Sequence, residues 1–91
     1  MSEIQPSPEE LKNQWLRTLA DAKIRLDLAR NYLKEVQGDL KSGTIPSTDG
    51  RYAHHRALQA ETLAIRHYRR VLNTFTALVL TGKVPDKQDA P

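Results

Sequence analysis

Apolar residues recur along the first half of the chain at Leu11, Trp15, Leu19, Ala22, Leu26, Ala29, Leu33, Val36 and Leu40, in steps of three and four. That spacing is the signature of a helix with one buried stripe. From Leu19 onward it is a heptad seam, with Leu19, Leu26, Leu33 and Leu40 at alternate sites. The start of the helix is marked by Ser7, Pro8 and Glu10, a Ser-x-x-Glu capping box with proline at the first helical position. Glu9 and Glu10 also suit the positive end of the helix dipole. Gly43 is the expected left-handed cap at the other end. The pattern therefore predicts a helix over about 8–42, a rod of roughly 50 Å at about 1.5 Å per residue.

Residues 43–49 form a tight connector. Pro46 blocks helix continuation, and Ser47, Thr48 or Asp49 is placed to cap the next helix. That second helix is predicted over about 50–81, ending at Gly82. It carries two apolar stripes. Leu58, Ile65, Leu72 and Val79 repeat every seven residues, with Tyr68 and Phe75 between them. Beside them run Ala53, Ala57, Ala60, Ala64, Val71 and Leu78, mostly small. The leucine-rich stripe is the expected partner of the first helix. Small residues on the other stripe would let a further helix approach closely.

A short connector between two long helices forces them antiparallel. Folding about residue 46 brings Leu33 near Leu58, Leu26 near Ile65, Leu19 near Leu72, and Trp15 near Phe75 and Val79. Trp15, Tyr32, Tyr68 and Phe75 stand at core spacing, and Tyr52 is expected to close over the Leu40 end. The fold class is thus all-α, a long antiparallel helical hairpin over 7–82. Residues 1–6 and 83–91 are expected to be flexible tails.

The hairpin carries more apolar side chains than two helices can bury against each other. Leu16, Ile24 and Leu28 lie off the first seam, and Leu63 and Leu80 widen the apolar arc of the second helix. Each would contribute roughly 1.5–3 kcal/mol if fully buried. The expected remedy is a homodimer forming a four-helix bundle. Its interface would use Leu16, Ile24, Leu28, Ala53, Ala57, Ala60, Ala64, Val71 and Leu78. Docking on another protein is the alternative.

Charge changes this picture only in the second half. Residues 8–42 hold seven Lys or Arg against six Asp or Glu, whereas residues 51–82 hold five Arg and a single acid, Glu61. The overall charge is +3 in 91 residues, far below that of a dedicated nucleic-acid arm. Arg66, Arg69 and Arg70, with His55 in line and Arg56 to one side, form a candidate contact for anions or nucleic acid. Helix-turn-helix spacing is absent, and aromatics do not interleave with the arginines as base stacking would favour.

Glu61 falls on a core seam, where a carboxylate needs a partner, such as Arg25 or Arg30 of the first helix or an Arg or His of a second subunit. A polar core layer that fixes register or oligomeric state is the reading favoured over a general base. His54 and His55 are neighbours that point about 100° apart on a helix, and His67 has no ligand at helical spacing. No metal site, cofactor or catalytic residue is expected. The absence of cysteine and of a basic-then-apolar start, and the lack of an apolar run of about 20 residues, fit a cytoplasmic protein without a membrane span. The expected function is a non-catalytic interaction or assembly protein that self-associates through a helix face. The alternative is a nucleic-acid-associated accessory protein using the Arg-rich helix.

Overall fold

The computed structural model describes residues 6–44 and 46–85. Two helices run through them, α1 over Pro8–Ser42 and α2 over Ser47–Thr81. They lie side by side as an antiparallel hairpin of 61 × 26 × 15 Å. A helix with its side chains is about 10–12 Å across, so the shortest dimension is that of a single layer. Both sides of that layer are open. The expected tails fall largely on residues 1–5 and 86–91, outside the described residues.

The caps of α1 are those the sequence predicts. The Ser7 hydroxyl accepts from the Glu10 amide at 3.2 Å, and the Glu10 carboxylate accepts from the Ser7 amide at 3.4 Å. At the other end Gly43 sits at φ 73°, and the Thr44 amide donates to the Asp39 carbonyl at 3.0 Å. A left-handed residue there closes the helix at no steric cost only if it is glycine.

The start of α2 differs from expectation. The helix begins at Ser47 rather than near residue 50, with Pro46 as its cap and no side-chain capping bond. Proline's fixed φ, here −55°, already lies near the helical value. Pro46 therefore ends the connector and launches the next helix directly. Thr48 and Asp49 fall inside the first turn, where Asp49 meets the positive end of the dipole.

The seam of α1 is buried as predicted. Trp15, Ala22, Leu26, Leu33 and Val36 are buried, and Leu11, Leu19, Ala29 and Leu40 are half-buried. They face α2 in the expected axial order. One cluster joins Trp15 and Ala22 to Val71 and Leu78, with Leu11, Leu19, Tyr68 and Phe75 packed around it. A second joins Leu33 and Val36 to Ala57, with Leu40 and Ala53.

What the structure corrects is the rotation of α2 about its axis. Ala57 is 0% exposed, and Val71 and Leu78 are also buried, whereas Leu58, Leu72 and Val79 are 41%, 36% and 45% exposed. Each buried position lies one residue before the expected one, a turn of about 100°. The seam of α2 is Gly50, His54, Ala57, Glu61, Ala64, Tyr68, Val71, Phe75 and Leu78, all buried or half-buried. The physical reason is size. Only four residues link the helices, so their connector ends must approach closely. Gly50, Ala53 and Ala57 allow that approach, while a leucine at the same place would hold the backbones apart. Apart from half-buried His54, the larger apolar side chains enter only towards the open end, where Tyr68, Phe75 and Leu78 join the cluster that contains Trp15.

Two aromatic expectations also fall. Tyr32 is 47% exposed rather than in the core. Tyr52 does not close over Leu40. It is exposed, and the Arg56 guanidinium lies over its ring at 5.9 Å.

Candidate interaction surface

The rotation of α2 divides the residues expected at a partner interface. Ala57, Val71 and Leu78 are used within the hairpin, and Ala53 and Ala64 are half-buried beside them. Ala60 is exposed. Leu16, Ile24 and Leu28 remain on the outside of α1, each more than half exposed.

The rotation also brings out an apolar column that sequence reasoning places inside. Leu58, Ile65, Leu72 and Val79 all occupy the position that immediately follows a buried or half-buried seam residue. Ile65 is half-buried and the other three are exposed. In an antiparallel pair the equivalent flanks of the two helices share one side of the layer. Leu16 of α1 holds the matching position, so it lies on the same side as Leu72 and Val79. Leu16, Leu72 and Val79 thus stand on one side of the layer towards the open end, with Ile65 on the same side at mid-helix, an apolar patch drawn from both helices.

Glu61 does sit on the seam, half-buried between the two clusters. Neither Arg25 nor Arg30 pairs with it. Among the described residues the ion pair formed is Lys23–Asp27 at 2.6 Å, an exposed i,i+4 pair of little energetic weight. The polar contact that crosses between the helices is Gln37 Nε2 to His54 Nε2, at 3.5 Å. Replacing Glu61 by leucine is expected to join the two apolar clusters. Stability should rise by about 1 kcal/mol, since a half-buried carboxylate without a partner is replaced by a packing side chain. Urea unfolding measures this, and a lower midpoint in Glu61→Leu would show that the carboxylate is held by a group it does not reach here.

The arginines of α2 differ from those of α1 in the scarcity of acids on their own helix. Arg56, Arg66, Arg69 and Arg70 and His55 are all exposed on the outer face, away from α1. The acids of this helix are Asp49, in its first turn, and Glu61, on the seam. No carboxylate among the described residues lies within ion-pair distance of these arginines. A shallow depression of about 550 Å3 lies on the same face, lined by His55, Leu58, Gln59, Thr62, Leu63 and Arg66. The Thr62 hydroxyl donates to the Leu58 carbonyl at 3.0 Å, so its proton is committed within the helix.

No three His, Asp or Glu among the described residues come together in a way that could hold a metal ion. No helix among them is long and apolar enough to cross a membrane. Neither a known protein family, nor a curated protein, nor a solved structure matches this chain.

Proposed function

We propose that this protein is a small non-catalytic interaction protein that works through its helix faces and pairs first with a second copy of itself. The observation that carries this reading is the patch of Leu16, Ile65, Leu72 and Val79. Three of its four side chains are between 36% and 52% exposed, although all lie at heptad positions suited to packing. A helix in a four-helix bundle buries about three positions in every seven, one flank in addition to the seam. This flank of α2 supplies the third apolar position, and a single layer offers nothing to cover it. Laying that side of one hairpin on the same side of another would complete a four-helix bundle.

The test is solution mass. Sedimentation at micromolar concentration should give about twice the 10.3 kDa of the chain. Leu72→Ala should weaken association by about tenfold or more, the effect of losing roughly 1.4 kcal/mol of apolar burial. Leu72→Glu should give the single-chain mass with helix content retained, because the residue lies outside the hairpin seam. A wild-type mass of one chain throughout this concentration range would refute self-association.

A further inference from the structure

We propose that the outer face of α2, from His55 to Arg70, is a docking surface for an acidic amphipathic helix of another protein. It is a different surface from the self-association patch. Leu58 stands at the border of the two and belongs to neither exclusively.

The proposal rests first on charge. Four arginines, Arg56, Arg66, Arg69 and Arg70, project from this face, with His55 beside them. No carboxylate among the described residues pairs with these arginines, as none pairs with Arg17, Arg25 or Arg30 of α1; what sets this face apart is that no acid lies on it. A face that served only to stay wet would be expected to mix both signs, as the outside of α1 does with Lys23, Asp27, Lys34 and Glu35.

Shape adds the second part. Arg56, with His55 beside it, stands about three turns from the group of Arg66, Arg69 and Arg70, and the depression lies between them with Leu58 and Leu63 exposed in it. Leu63 is 63% exposed. It lies three residues before Arg66 and seven before Arg70, so it shares their face. Leucine framed by arginine is the complement of leucine framed by glutamate or aspartate. A helix carrying leucines at i, i+3 and i+7 with acids on both flanks would fill the depression and meet Arg56 on one side and Arg66, Arg69 and Arg70 on the other. The stretch from 55 to 70 is about 22 Å long at about 1.5 Å per residue, room for some four turns of a partner.

The same features weigh against nucleic acid. A phosphate backbone laid between Arg56 and the other three arginines would meet Leu58 and Leu63, which offer it nothing. Exposed aromatics for base stacking are missing from 55 to 70, and the Tyr52 ring lies one turn earlier under the Arg56 guanidinium.

The experiment uses the full chain and a synthetic helix-stabilised peptide of about 16 residues, with leucines at helical spacing and glutamates on both flanks. Binding is followed by fluorescence anisotropy at low salt. The wild type is expected to bind. Arg66→Glu with Arg70→Glu, and separately Leu63→Ser, should each weaken binding at least about tenfold while the sedimentation mass stays that of the wild type. Leu72→Glu should lose the paired mass and keep the peptide. Failure of self-association therefore leaves this proposal standing, and the reverse holds too. No binding at low salt would overturn it. Equal binding of a peptide whose leucines are replaced by serine would reduce the face to a polyanion trap and overturn it. So would tighter binding of duplex DNA that ignores Leu63→Ser, or loss of peptide binding in Leu72→Glu.

Discussion

Trp15→Ala is expected to cost about 3–5 kcal/mol and to leave the hairpin largely unfolded at room temperature. Trp15 is 3% exposed and is the largest side chain in the open-end cluster, touching the groups that hold α1 to α2 there. A small domain has roughly 5–15 kcal/mol of stability in total, and a single layer of two helices belongs at the low end. The indole Nε1 is buried without a hydrogen-bond partner, so the ring contributes through packing rather than through its polar atom. Trp15→Phe should consequently be much milder, since it gives up some volume but also removes an unpaired donor. Urea unfolding followed by circular dichroism distinguishes the two. An alanine variant with the wild-type midpoint would mean that the helices are held together elsewhere.

Ala57→Leu is expected to destabilise by about 1–3 kcal/mol even though it makes the seam more apolar. Ala57 has no exposed surface and lies against Leu33 and Val36. Three more carbons there require the helices to separate at the end where the connector holds them closest. Ala60→Leu, one turn on and exposed, serves as the control and should change stability by less than about 0.5 kcal/mol. Equal stability of Ala57→Leu and wild type would show that α2 is free to turn back towards its leucine column, and that residue size does not set its rotation.

That rotation marks where the sequence stopped being legible. The ends of α1 were readable because capping chemistry is local: Ser7, Pro8, Glu10 and Gly43 satisfy backbone groups within one turn. The α1 seam and the axial pairing were readable because Leu19, Leu26, Leu33 and Leu40 leave one stripe to bury and a short connector leaves one direction to fold. In α2 periodicity found two stripes and hydrophobicity favoured the leucines. The outcome depended instead on how near the helices must come beside a four-residue link, which is a tertiary constraint on Gly50, Ala53 and Ala57. The start of α2 was missed for a related reason. Pro46 reads as a breaker from the helix before it and as a launch point from the helix after it. The outer arginines were visible as a cluster, but their lack of carboxylate partners depended on where the acids of both helices come to lie.

Trp15 and the connector stand at opposite ends of the rod, and the consequence is mechanical. One end is tied covalently, so its two strands cannot drift apart; the far end has only a side-chain clasp. Thermal opening should therefore begin at the tips and travel inward, pausing where Glu61 and Ala64 interrupt the grease. The sole indole in the chain sits inside that clasp, so the molecule carries its own optical gauge of the earliest loosening.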